Sequence, residues 1–365
     1  MRASFLKLSV LIVLLAATAS SPSAGRMAPE AGQGPTLTSI GALTFAPDGT
    51  LFAADPQSAA ILAIELGPFG SGGAQGAKAI PSLDQKIAAM LGTEPREVTI
   101  TDLAVHPRTK NAFVAAMRGQ GAAATPVLFR IDGVGKIALV ALQGLKFSKV
   151  ALPNPPAATT TGNNNPRTQS ITDMAFIDGR LYVAGLSNEE FSSKLRSVAY
   201  PFTSVDRGTS VEIYHGNHGQ LETRSPVYTF VPYKIKNQQH LIAGYLCTPL
   251  VTFPLSSLTA GAKVQGRTIA ELGNRNRPLD MVLYNKGGKD FLLMSNNSRG
   301  VMKIPTEPFS DASAITSKIE VGGLPFETVA HMKGVEQLDL LDAQHSIVLA
   351  RAETGALNLE VVPLP

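Results

Sequence analysis

Residues 40–55 read IGALTFAPDGTLFAAD, an apolar run, a Pro-Asp-Gly turn and a second apolar run. Two short runs separated by such a turn form a β-hairpin. The same shape returns as ITDLAVHPRTKNAFVAAM (100–117), ITDMAFIDGRLYVAGLSN (171–188), RPLDMVLYNKGGKDFLLMSNN (277–297) and GVEQLDLLDAQHSIVLARAE (334–353). A sixth, more divergent copy is VYTFVPYKIKNQQHLIAGYLC (227–247). Starts at 40, 100, 171, 227, 277 and 334 are 60, 71, 56, 50 and 57 residues apart. A propeller blade usually takes about 40–50 residues, so the excess falls in loops.

One hairpin cannot bury both of its faces, whereas hairpins packed radially can, and such copies therefore imply a closed ring. The predicted fold class is all-β: a β-propeller of six four-stranded blades around a central channel. A seventh blade is the alternative, in the long 133–170 stretch. Each copy is expected to supply the inner two strands of a blade, and the sequence between copies the outer two. Helical periodicity is nearly absent; SLDQKIAAMLG (82–92), with Ile87, Met90 and Leu91, predicts one short helix. LPNPPAATTTGNNNPRTQ (152–169) and GSGGAQGAK (70–78) have no apolar period and read as mobile surface loops.

Residues 1–19 have the parts of an export signal: Arg2 and Lys7, the apolar run LSVLIVLLAATA, and the small-x-small site Ala17-Thr18-Ala19. The run is shorter than the roughly 20 residues of a membrane anchor. The expected organisation is a signal at 1–19, a flexible segment at 20–36 and one propeller domain at 37–365, with a periplasmic or secreted location and no membrane anchor. Formal net charge is +4, of which the signal carries two, leaving 4 − 2 = +2. That is too little to point to nucleic acid. The single cysteine, Cys247, allows no internal disulfide, and a free thiol in an exported chain is unusual.

The pattern of FAPDGTLFAAD resembles the blades of NHL-type and gluconolactonase/SMP-30-like propellers. The stretch from YHGNHG to CTPLV resembles a family of exported bacterial propeller proteins. The lactonase resemblance implies a channel cation held by a glutamate on the first inner strand, an asparagine and an aspartate. Here that strand reads IGALTF and has no glutamate; Asp280 or Asp173 is left for the aspartate role and Asn188 or Asn296 for the asparagine role.

The repeat also assigns faces. The start of each first strand, the end of each second strand and the connections between blades share one face of the ring, here the upper face. Asp102, Asp173, Asp280 and Gln337 fall at equivalent positions near the start of the innermost strand. Three carboxylates aimed into one channel suit a hard cation such as calcium, or else each satisfies backbone amides nearby, the favoured reading. The motif VEIYHGNHGQLET (211–223) raises a second question. If the connection folds across the ring, His215, His218 and Cys247 meet as a copper or zinc site. If HGNHG is a rim hairpin, the histidines are solvated and far from Cys247. Arg275 and Arg277, with Asn188 and Asn296, are candidate ligand-binding groups on the same face. His106, in a turn, is expected at the surface, and His331 and His345 show no partner. No G-x-S-x-G elbow, phosphate loop or HExxH occurs. The function these features support is a propeller that binds a ligand, a metal ion or an exported protein partner through its upper face; the alternative is a metal-dependent enzyme, lactonase-like or using the copper or zinc site.

Overall fold

The structure is a computed structural model that describes residues 34–68, 76–158, 165–247 and 249–365. The proposed signal and the centres of the two glycine- and asparagine-rich loops lie outside the described residues. All six hairpin copies form antiparallel strand pairs. They are Leu43–Phe45 with Leu51–Asp55 (blade I), Val98–Val105 with Ala112–Arg118 (blade II) and Asp173–Ile177 with Arg180–Leu186 (blade III). Blades IV, V and VI follow with Thr229–Ile235 and Gln238–Gly244, Pro278–Lys286 and Lys289–Asn296, and Val335–Leu340 and His345–Arg351. The protein is a six-bladed β-propeller, the architecture that its resemblance to other propellers implied. There is no seventh blade among the described residues: Ile137–Leu139 completes blade II and Lys146–Ala151 completes blade I.

Six buried apolar clusters hold the ring, each between two neighbouring blades. Phe52, Ile61 and Val150 of blade I meet Met174, Leu181 and Val183 of blade III. Leu51, Leu62 and Ile64 of blade I meet Phe113, Ala115 and Leu128 of blade II. Alternate residues of one strand thus serve opposite wedges, which is why the central strands are buried on both faces. The wedges fix the order around the ring as II-I-III-IV-V-VI, with VI against II. Blade I therefore lies between II and III, and its outermost strand, Lys146–Ala151, is made only after blade II is complete.

The expectation that each blade draws its outer strands from the sequence directly after its hairpin consequently fails for three blades. Blade I borrows 146–151, and blade IV takes its last strand, Val321–Gly323, from the connection inside blade V. Blade VI has three strands, and its free edge pairs with Ile80, whose N–H and C=O bond Leu359 at 2.8 and 2.9 Å. Just after Ile80 comes the predicted helix, Leu83–Leu91, closed by Gly92 at φ 64°. Its buried side is Leu83, Ile87 and Ala88, wedged between blades II and VI, while Met90 faces solvent.

Candidate functional site

The innermost strands of blades II, V and VI carry a register shift at the same place, between Ile100 and Asp102, Pro278 and Asp280, and Val335 and Gln337. A bulge re-aims the next side chain. Asp102 and Asp280, which follow two of these shifts, and Asp173, at the start of blade III's unshifted inner strand, accept backbone amides of the adjoining blade: Asp102 from Leu43, Asp280 from Leu338 and Asp173 from Phe230, at 2.5, 2.8 and 2.7 Å. A fourth, Asp339, one pleat deeper, accepts from Val105 at 2.7 Å. With its amide turned to donate, Gln337 reaches Asp102 and Asp280 at 2.7 and 3.1 Å. Burial pushes all four carboxyls up, Asp173 to about 7 and Asp339 to about 6, against the pull of the backbone amides. In Asp280 the neighbouring Asp102 charge adds to the rise.

The upper face is built differently. Thr209–His215, the outer strand of blade III, turns through Gly216–Gly219 into Gln220–Glu222, with His215 opposite Gln220. HGNHG is therefore a hairpin tip, and it nevertheless reaches Cys247, so the two readings of the motif are not exclusive. The reason is that the hairpin does not stand free at the rim. Lys263–Gln265, from the chain of blade IV, pairs in parallel with Ser210–Glu212, and Thr268 donates its hydroxyl to Tyr214 O at 2.7 Å. Gly216 N donates to buried Glu271 at 2.6 Å, and a Cβ at 216 would meet Glu271 Cγ at 2.9 Å. Only glycine allows that approach.

Cys247 lies in the turn after Gln238–Gly244, with φ 58°, and its N–H bonds Asn276 O at 2.9 Å. A left-handed conformation at a residue other than glycine costs about 1–2 kcal/mol. Asn276 is itself fixed by donation to Gly273 O at 2.7 Å and by acceptance from Asn296 at 2.8 Å. One donor atom from each of His215, His218 and Cys247 lies within 4.8 Å of the other two, and they are the one such set among the described residues. A four-coordinate ion with bonds of about 2.0–2.3 Å holds its donors about 3.3–3.8 Å apart, so at most about 1.5 Å of tightening is needed.

Behind the cluster stands Glu222. Its two oxygens take Nδ1 of both rings, His215 at 2.9 Å and His218 at 2.5 Å, and Ser225 adds its hydroxyl at 2.5 Å. Burial works to raise the Glu222 carboxyl, but these three hydrogen bonds outweigh it and hold the pKa down to about 2. With both Nδ1 atoms occupied, Nε2 is the nitrogen each ring keeps for a ligand. On His215 that atom is buried and has no partner. The His218 side chain is 45% exposed, so the cluster opens to solvent on that side. Glu271, under the turn, is pushed up to about 7 by burial, opposed by the amides of Gly216 and Asn217.

The remaining candidates scatter. Asn296 is buried and spent on Asn276, Ser298 and Arg299, and Asn188 is exposed beside Asn154. Arg275 and Arg277 are exposed, the latter over the Tyr228 ring at 5.8 Å. His106 is not at the surface: its Nδ1 accepts the amides of Arg108 and Thr109, and its ring packs edge-on to Phe45. His345 has a partner after all, Asp342 at 3.0 Å. Glu271 and Asn276 escaped sequence reasoning, although a lone acid in the apolar strand RTIAEL was a visible signal for the first.

Fold and site together define a six-bladed propeller with a His-His-Cys cluster on one face. No family model and no curated protein matches the chain. Among solved structures it is similar to the PQQ-bound aldose sugar dehydrogenase of Streptomyces coelicolor, at 12% identity over 94% of this chain and 100% of that one, with a TM-score of 0.32. A putative glucose dehydrogenase of Thermus thermophilus gives 14%, 93%, 100% and 0.29, and a Hadza microbial sialidase 13%, 90%, 66% and 0.34. Likeness at these scores carries no argument about function, and the fold rests on the chain's own strand pairing.

Proposed function

We propose that this chain is an exported propeller that binds one soft transition-metal ion, copper or zinc, through His215, His218 and Cys247. The observation that carries the reading is the convergence of these three donors in front of a carboxylate shared by both imidazoles. Two imidazoles and a thiolate are a ligand set of copper and zinc, and a carboxylate on the far ring nitrogen fixes the tautomer and raises ligand basicity. The left-handed backbone at Cys247 adds support, since such a conformation persists where the surroundings hold it and clusters at functional positions. Three protein ligands leave a coordination position on the solvent side of His218 for a small molecule or a donor atom of an exported protein partner. The channel aspartates, spent on backbone amides, act in this reading as ties between blades.

Elemental analysis of the protein purified from the exported fraction tests this. About one equivalent of copper or zinc is expected in the wild type, and none in Cys247→Ser or His215→Ala. Absence of metal in the wild type, also after incubation with either ion and desalting, would sink the reading. Calcium insensitive to both substitutions would move attention to Asp102, Asp173 and Asp280.

A further inference from the structure

Blade III's strand Ser193–Ala199 carries two cations where a doubly covered strand is ordinarily apolar: Lys194 and Arg196, each 1% exposed. Side chains alternate along a strand. Both cations therefore share the side of Val198, which packs in the wedge with blade I, and point away from Leu195 and the wedge with blade IV. Lys194 is matched: its Nζ donates to Glu189 Oε2 and to Ser210 Oγ, both at 2.7 Å. Arg196 is not, because its Nε and Nη1 are buried without a partner.

The acids that act on Arg196 are already engaged. Glu189 is paired with Lys194, and exposed Asp206 spends Oδ1 on Gly208 N at 2.7 Å. Space for the arginine is built in: a Cβ at position 208 would meet Arg196 Cγ at 2.5 Å, and Gly208 sits at φ 72°. Burial pulls the Arg196 pKa down to about 10, which still leaves the group charged at neutral pH. The field of these acids reaches the guanidinium, but no carboxylate oxygen hydrogen-bonds its Nε or Nη1, and a buried charge whose donors are left unmet is strongly unfavourable.

We propose that a small monovalent anion, chloride or a carboxylate of comparable size, binds the free Nε and Nη1 of Arg196 as a structural ion of the wedge between blades I and III. This site is independent of the metal cluster, which lies at the far end of blade III's outer strand against blade IV.

Two measurements test it. Crystals of the full chain grown with bromide in place of chloride should show an anomalous peak at the Arg196 guanidinium; a planar density that persists in native crystals would identify a retained carboxylate instead. In solution, exchanging gluconate for chloride at constant ionic strength should raise the Tm of the wild type saturably, by roughly 2–4 °C. The response should vanish in Arg196→Met. Only waters at Arg196 in both crystals, or an equal chloride response in wild type and Arg196→Met, would overturn the proposal. If Arg196→Met does not fold, the bromide and native densities decide alone. Asp206→Asn is the further control: a chloride-independent loss of stability there, with the Asp206 carboxylate seated on Arg196 in the crystal, would make Asp206 the counter-charge and refute the bound ion.

Discussion

The axial channel and the upper-face cluster use the same kind of side chain to opposite ends. In the channel, carboxylates recur with the blades and serve as acceptors for the next blade's amides, while burial suppresses their charge. At the upper-face cluster Glu222 belongs to one hairpin only, keeps its charge and faces two rings, while Glu271 beneath the turn accepts a backbone amide as the channel aspartates do. A polar group repeated around a ring serves closure of the ring, whereas one placed once, against a strained backbone and an unpartnered buried nitrogen, points to a ligand.

Substitutions can break that contrast. Cys247→Ala should abolish stoichiometric metal binding and leave the far-ultraviolet circular dichroism unchanged; retention of a full equivalent would erase the distinction between the regions. Asp173→Ala should do the reverse, retaining metal while lowering stability in a urea titration by about 2–4 kcal/mol, because the amides of Phe230 and Met174 lose their acceptor. Glu222→Gln is intermediate: a 10–100-fold loss of metal affinity, about 1.4–2.7 kcal/mol, is expected from losing the shared carboxylate, read by competition with a chromogenic chelator.

The channel aspartates and Glu222 should also answer pH with opposite signs. Asp173 and Asp339 hold their protons more tightly in the fold, so their contribution is complete below the ordinary aspartate range and is lost as pH rises through about 6 to 7. Glu222, held down to about 2, contributes fully above the ordinary glutamate range and loses its contribution as pH falls toward 2. Between pH 5 and 8 the channel carboxyls titrate together with Glu271, and unfolding free energy should fall by on the order of 1–3 kcal/mol, a slope that Asp173→Asn flattens by removing its part of the channel's share. The smallest effect is the most diagnostic: Cys247→Gly should gain about 0.5–1 kcal/mol by relieving the left-handed backbone while losing the metal. A stability loss would show that the thiol is there for packing.

The blades were legible because period-2 runs around Pro-Asp-Gly, Asp-Gly and Gly-Gly turns encode their own pairing. Ring order was not, since a hairpin such as ITDLAVHPRTKNAFVAAM has two competent faces and nothing local says which neighbour takes which. Asp102, Asp173 and Asp280 stand at one repeat position in the sequence, but Asp339 does not, because it sits one pleat beyond the equivalent position that Gln337 fills. The two histidines and the cysteine were visible as residue types. Their meeting depends on the three-residue strand Lys263–Gln265, too short to show any period, which ties blade III's hairpin to blade IV.

The bridge between Ile80 and Leu359 has a consequence for how the chain is assembled. Residues separated by 359 − 80 = 279 positions close the ring, so the helix Leu83–Leu91 has blade II on one side but lacks its second wall until the last blade emerges. Pairings of such long range form late and slow the search. Loss of the Leu357–Pro363 strand would therefore leave an apolar gap at residues 77–91, hundreds of residues from the cut, and that gap is where partly folded chains should first stick together.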